Sequence, residues 1–355
     1  MKVFFDARYT RFPRHDGVSR YGSELLRELL KIRKDVIVII CDDRQLVNLP
    51  EHIEYIKLNK PTAIIEPFIA GALNKFGADV VFSPLQTMGS LGKNYKLILT
   101  IHDLIYYTYR TPPRQFNPAI RLLWRLYHLS YSPERWLLSQ ADTVAVVSET
   151  TKQDVLTHKL TKQPIEVIPN AAPPMPPITS RTPAKTLVYM GSFVPYKNVD
   201  TLVRAMSLLP DYTLHLLSRV DEDEELRLRD LCDSPKQLVF ANGASDEEYH
   251  ELLASTTASI TASRFEGFGI PLLEAQEAGA PVVCSDIPIF REVVGDSALY
   301  FNPDSPEELA ARVRELESRN TRTALVAKGT ANAQRYNWAR SAHLLSDLID
   351  RLHAQ

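Results

Sequence analysis

Cysteine is scarce in this chain. Only Cys41, Cys232 and Cys284 occur, far apart and without C-x-x-C spacing. That pattern makes no disulfide framework and no zinc site, and it reads as buried free thiols. It suits a reducing cytoplasm. No apolar run reaches the roughly 18 residues that a membrane-spanning helix needs. The start, MKVFFDARYT, lacks the long apolar region of a secretory signal. No G-x-G-x-x-G marks a dinucleotide site, and no clustered metal ligands appear. Neither sign of charge dominates. The net charge of −2 argues against broad nucleic-acid binding, while leaving room for a local basic face.

What is present is an ordinary globular composition spread over 355 residues, more than one core usually serves. Short β-branched runs recur: KVFFDA, VIVIIC, IEYIKL, VVFSP, KLILTIHD, TVAVVS and IEVIP, then TLVYMG, TLHLLS, LVFANG, SITAS, PVVCSD and ALYFN. Amphipathic stretches such as SRYGSELLRELLKI and DEEYHELLAST separate them. Strands alternating with helical patterns predict parallel sheets covered by helices on both faces, an α/β class. AAPPMPPITSRTPAKT packs five prolines between Ala171 and Thr186 and reads as a stiff linker. The expected division is 1–172, a linker at 173–183, a second domain at 184–335, and a last helix at 336–355 that either caps the second domain or crosses back to the first. Two doubly wound domains would face a cleft at their strand ends, the default place for an active site.

SRFEGFGIPLLEAQEAGAPVV, from Ser263 to Val283, carries the most chemistry. SITAS predicts a strand ending near Ser263, and Glu266 follows in a loop. Gly267 and Gly269 permit tight backbone paths around Phe268. Pro271 suits the first turn of a helix that runs to a stop at Gly279. The amino end of such a helix suits a phosphate. Glu266 would accept hydroxyl hydrogen bonds on one side of that phosphate, and Glu274 would reach a second polyol on the other. A phosphate between two hydroxyl-bearing groups describes a nucleotide sugar. Paired glutamates also occur in glycoside hydrolases, where both flank one glycosidic bond. Here a glycine turn and a helix start lie between them.

RFEGFGIPLLEAQEAGAPVV resembles the E-x7-E motif of the retaining glycosyltransferases of family four, which have the GT-B fold, and the resemblance extends over nearly the whole chain. It implies two Rossmann-like doubly wound domains. It implies Glu266 on the donor sugar, Glu274 on the ribose, and backbone amides from Phe268 through Gly269, Ile270 and Pro271 to Leu272 on sugar and phosphate. In VYMGSFVPYKN the resemblance assigns Lys197 to the donor diphosphate, with Gly191 and Ser192 in the same loop. Many relatives carry an arginine in this loop where Ser192 or Tyr196 stands, and Arg264 is the candidate to compensate for it. RHDGVSRYGSELL resembles the family's first glycine loop and brings Gly17 toward the phosphates. LTIHDLIYY matches a site histidine at His102, with Asp103 orienting it or capping the next turn. FANGASDEEYHEL resembles the loop at the nucleotide base and brings in Asn242 and Gly243.

Other segments have plainer readings. Ser148 reads as a helix cap, and Asn170–Ala171 as the exit from the first domain. RTPPRQFNPAIRLLWRLYHLSYSPERW mixes arginines with Trp124, Tyr127, Tyr131 and Trp136. It reads first as a helix covering the first domain's core, and second as a surface for anionic lipid or a lipid-linked acceptor.

The resemblance thus implies a cytoplasmic, metal-independent, retaining glycosyltransferase without a cofactor, its nucleotide sugar being a substrate. GSFVPYKN and SRFEGFGIPLLEA look most like mannosyltransferases, so GDP-mannose stands ahead of UDP-glucose and other UDP-sugars. The acceptor would be a saccharide or a lipid-linked glycan of the cell envelope, with contact at the inner face of the membrane left open. Rival readings are an epimerase or phosphorylase of the same fold, and a nucleotide-sugar-binding protein that transfers nothing.

Overall fold

A computed structural model of the chain describes residues 1–13, 15–112, 117–173 and 184–355. The chain divides into two units. The first joins Met1–Asn170 to Trp338–Gln355, and the second is Ala171–Asn337. Most of the proline-rich stretch, from 174 to 183, lies outside the described residues.

The first unit is built on β1 (Val3–Asp6), β2 (Val36–Ile40), β3 (Tyr55–Lys57), β4 (Val80–Ser83), β5 (Lys96–Ile101), β6 (Thr143–Val146) and β7 (Ile165–Val167). They form a seven-stranded sheet in the order β3-β2-β1-β4-β5-β6-β7. Every pairing is parallel; Val3 lies opposite Val36 on one side and Val80 on the other. All residues of β1, β4 and β6 are buried. Burial on both faces is why these strands read as near-continuous apolar runs with no polar alternation.

The second unit repeats the plan with β8 (Thr186–Tyr189), β9 (Thr213–Leu216), β10 (Leu238–Phe240), β11 (Ala258–Thr261), β12 (Val282–Ser285) and β13 (Leu299–Phe301). Its six parallel strands run β10-β9-β8-β11-β12-β13. In both sheets the strand order turns beside the first strand, between β1 and β4 and between β8 and β11. Loops at the carboxyl ends of such strands diverge and open a crevice for ligands.

The helix Gly17–Ile32 starts behind Asp16, whose side chain accepts from Ser19 N, and it buries Tyr21, Leu25, Leu26 and Leu29. Against it packs the last helix, Trp338–His353. Arg33 donates to Asp350 at 2.7 Å, the Tyr21 and Trp338 rings lie 5.9 Å apart, and Ser341 Oγ donates to Pro169 O at 2.7 Å.

One expectation fails here. The helix Pro118–Tyr127, read as a cover for the first core, has no buried residue. Its periodicity marks an amphipathic helix, but periodicity does not say which side meets the protein.

Candidate functional site

Most of the sequence-derived candidates sit in the second unit, on the two loops beside its switch point. The loop after β8 bends sharply at Gly191. A Cβ there would stand 2.6 Å from Tyr189 Oη, and that hydroxyl donates to Ser192 O at 2.7 Å. The chain then makes a single 3-10 turn, Pro195–Lys197, and leaves it through Asn198 at φ 54°. Asn198 Nδ2 donates to Ala262 O at 3.2 Å and to Pro303 O at 2.6 Å. Arg264 N donates to Tyr196 O at 2.8 Å. These bonds tie the Lys197 loop to the loop that follows β11.

Across that seam Lys197 Nζ donates to Glu266 Oε1. The two side chains are 17% and 15% exposed, so the pair is largely withdrawn from water yet not sealed. Ser263 Oγ donates to the same carboxylate oxygen at 2.9 Å. With the Ser263 proton so used, Thr261 Oγ1 is the donor in its 3.1 Å bond to Ser263 Oγ. Arg264 does not join this group. It pairs with Asp304, so it supplies no second cation beside Lys197.

Gly267 and the buried Phe268 lead to Gly269, which adopts φ 97°. A Cβ on Gly269 would come within 2.8 Å of Phe290 Cε1, so both conformation and space call for glycine. The helix begins at Ile270, one residue before the expected proline, and runs Ile270–Glu277. Pro271 has no N–H, and Leu272 N donates to Gly269 O at 3.0 Å. Of the span from Phe268 to Leu272, Pro271 thus offers no amide and the Leu272 amide is already bonded within the turn. Glu274 is 4% exposed, so it is not a solvated helix charge. Glu266, Gly269, Pro271 and Leu272 share a small pocket of about 10 Å³ with Met190, Thr261 and Phe290. That is room for about one water molecule.

The turn after β10 holds Asn242 and Gly243 at φ 51° and 107°. Asn242 Oδ1 accepts from Val220 N at 3.2 Å, and Gly243 N donates to Leu217 O at 2.9 Å, which joins the loops after β9 and β10.

Gly17 and His102 belong to the first unit. A Cβ on Gly17 would meet no atom within 4 Å, so packing within the chain does not require glycine there. His102 follows β5. Its Nε2 lies 2.8 Å from Pro84 O. A carbonyl only accepts, so Nε2 carries the proton of the neutral ring and Nδ1 is left as an acceptor. Burial lowers the His102 pKa, against a smaller upward pull from the Pro84 bond, which keeps the ring neutral. Asp103 Oδ1 accepts from Ile105 N at 2.9 Å, the turn-capping reading. Ser148 Oγ accepts from Thr151 N at 3.0 Å as a cap, and Thr151 Oγ1 donates to His102 O at 3.2 Å.

Sequence reasoning missed Ser263, Thr261 and Asn198. Serine three residues before Glu266 is a local signal, whereas nothing local marks the reach of Asn198 to Pro303. A larger cavity of about 590 Å³ lies along β13, lined by Asp286, Arg291, Tyr300, Asn302, Glu308 and Arg312 among others, and contains none of the candidates. There Arg312 Nε donates to Tyr300 O in the strand, and Glu308 Oε2 accepts from Asn302 N just past its end. Among the described residues no three His, Cys, Asp or Glu side chains group to hold a metal ion.

Comparison with known proteins agrees with this architecture. A family model described as Glycosyltransferase Family 4 matches residues 15–174, and one described as Glycosyl transferases group 1 matches residues 175–333. The chain is 26% identical over 266 residues to O-antigen chain mannosyltransferase B of Escherichia coli, covering 68% of this chain and 67% of that one. It is 30% identical over 187 residues to the GDP-mannose:cellobiosyl-diphosphopolyprenol alpha-mannosyltransferase of Komagataeibacter xylinus, covering 49% of this chain and 47% of that one. It thus spans about two thirds of the first relative and about half of the second.

Among solved structures, sucrose-phosphate synthase from Thermosynechococcus elongatus superposes with a TM-score of 0.78 at 18% identity, over 99% of both chains. WaaG, a glycosyltransferase involved in lipopolysaccharide biosynthesis, gives 0.73 at 18% identity, over 98% of this chain and 99% of its own. At such identities the likeness shows the fold, which is GT-B. With both halves matched, the chain belongs to the glycosyltransferases of family four.

Proposed function

We propose that the protein is a retaining mannosyltransferase, moving mannose from GDP-mannose to a hydroxyl of a lipid-linked saccharide at the cytoplasmic side of a membrane. The observation that carries this reading is the Lys197–Glu266 pair at the switch point, beside the glycine turn that opens the helix Ile270–Glu277. The names of the two relatives support mannose, and the second supports both GDP-mannose and a diphosphopolyprenol-linked acceptor.

In this reading the donor replaces an internal ion pair with two external contacts. Lys197 turns from Glu266 to the diphosphate, and Glu266 accepts from sugar hydroxyls. Glu274 takes the ribose. As the bond from C1 to the phosphate oxygen breaks, negative charge grows on the leaving phosphate, and a fixed cation there lowers the barrier. The acceptor oxygen bonds C1 on the face just vacated, and its proton passes to the departing phosphate. His102 Nδ1 accepts from a sugar hydroxyl.

A panel of GDP-mannose and UDP-sugars, with lipid-linked acceptors and product analysis, tests the proposal. GDP-mannose should give a product whose new linkage keeps the donor's anomeric configuration. Transfer only from a UDP-sugar would overturn the donor, and inversion would overturn the path. A second reading, binding without transfer, draws on Arg264 being held by Asp304 and so absent from the Lys197 loop. It predicts donor affinity with no product across the whole panel.

A further inference from the structure

Three hydroxyls lie buried at the carboxyl ends of two neighbouring strands of the second unit. Thr261 ends β11, Ser285 ends β12, and Ser263 stands two residues past β11. They are 9%, 0% and 0% exposed in that order. A hydroxyl withdrawn from water is costly unless it is bonded, so the partners of these three are informative. All lead to one carboxylate. Ser285 Oγ donates to Ser263 O at 2.5 Å, Thr261 Oγ1 donates to Ser263 Oγ at 3.1 Å, and Ser263 Oγ donates to Glu266 Oε1 at 2.9 Å. An ionised carboxylate only accepts, which fixes the direction of the chain, and each bond polarises the next.

The two oxygens of Glu266 are therefore unequal. Lys197 and Ser263 both donate to Oε1, and among the described residues nothing donates to Oε2. The two donors also differ from each other. Lys197 is an ammonium on a flexible stem, free to follow an arriving diphosphate. Ser263 has one short rotor, on a backbone whose carbonyl is held by Ser285. Once the lysine has left, the serine proton is what keeps the carboxylate from swinging about its own torsions. A hydroxyl acceptor is useful only if it is held within about 0.5 Å and 10–20° of its working geometry. We infer that Ser263 is a positioning residue, which holds Glu266 by Oε1 so that Oε2 meets the hydroxyls of the donor sugar after Lys197 has turned away. Meeting the sugar rests on the donor proposed above; holding Glu266 does not.

Two measurements on the full chain test this. The first uses no donor. Lys197→Ala reproduces the loss of the lysine, and in that background Ser263→Ala removes the other partner of Glu266. It should then lower the thermal midpoint more than the same change does in the parent. Equal shifts in the two backgrounds would overturn the holding role. The second compares GDP with GDP-mannose. Ser263→Ala should leave GDP affinity within about twofold of the parent, while kcat/KM for transfer falls about tenfold, the size of one hydrogen bond to a charged group. Thr261→Val keeps the shape and removes the donor to Ser263, so the fall should be smaller, about threefold. Thr261→Ser, which restores the hydroxyl, should recover the rate. Equal loss for GDP binding and for transfer would mean that Ser263 only supports the loop, and would overturn the inference, as would a parental rate in Ser263→Ala. Where the donor panel selects another sugar nucleotide, that donor and its free diphosphate take the place of GDP-mannose and GDP. A parent that transfers nothing overturns the donor reading and leaves the first measurement to decide.

Discussion

Each sheet has a cation in the loop after its first strand, and the two are used differently. In the first unit Arg8 follows β1; in the second Lys197 follows β8. Arg8 is sealed. It donates to Asp6 at 2.8 and 2.9 Å, to Glu66 at 2.6 and 2.9 Å, and to Asn59 O at 3.0 Å. Its side chain is 0% exposed. Burial opposes the Arg8 charge, yet Asp6 and Glu66 more than offset this and hold its pKa above the ordinary arginine value. Lys197 meets one carboxylate, in a site that water still reaches. A guanidinium can saturate a fixed fork of acceptors, whereas an ammonium on a flexible stem can exchange one acceptor for another. The comparison teaches that one ion pair holds a loop and the other is built to be exchanged.

The largest effect should come from breaking the sealed group. Arg8→Met leaves Asp6 and Glu66 buried without their partner and should cost about 3–5 kcal/mol of stability in denaturant unfolding. A cost near zero would erase the distinction. Lys197→Ala should cost less stability than Arg8→Met, about 1–3 kcal/mol, because the Ser263 hydroxyl stays on Glu266, while transfer falls about 10²–10³-fold. Activity should survive a strong chelator in the parent; loss restored by added metal would overturn a metal-independent transfer. Third in size is Gly269→Ala, where a positive φ and the Phe290 ring both resist a side chain. Calorimetry should show weaker nucleoside diphosphate binding, and unfolding should cost about 1–3 kcal/mol.

The smallest effect is one of pH. Burial lowers the pKa of His102, His15 and His128 in the first unit and of His215 in the second. The unfolded chain takes up protons near pH 6.5 that these folded rings refuse. Stability from this source is therefore full above that pH and is lost as pH falls through it. Hydrogen exchange followed from about pH 7.5 to about pH 5.5 should loosen the first unit more than the second. Equal loosening would show that the histidines do not set the difference.

Much of this was legible beforehand because the signals are local. Strands buried on both faces must be short apolar runs, and all thirteen runs singled out in the sequence became strands. Gly269, Pro271 and Gly279 mark a turn, a helix start and a helix stop over eleven residues. The illegible parts depend on contacts between distant segments. Lys197 and Glu266 are 69 positions apart, and Arg8 and Glu66 are 58 apart. Arg264 looked like a spare cation because Asp304, 40 residues on, has no local sign of claiming it. The helix Pro118–Tyr127 was misjudged for a related reason. Leucines and aromatics alternate along it, and only packing shows that the aromatics face in.

The last helix has a consequence for how the protein is made. Trp338–Gln355 completes the first unit, yet the whole second unit lies between it and residue 170. A ribosome releases the second unit entire, and that unit can fold as it emerges. The first must wait with the helix Gly17–Ile32 lacking its neighbour, until the helix Trp338–His353 is translated. Through most of synthesis, then, the amino-terminal half is the unfinished one.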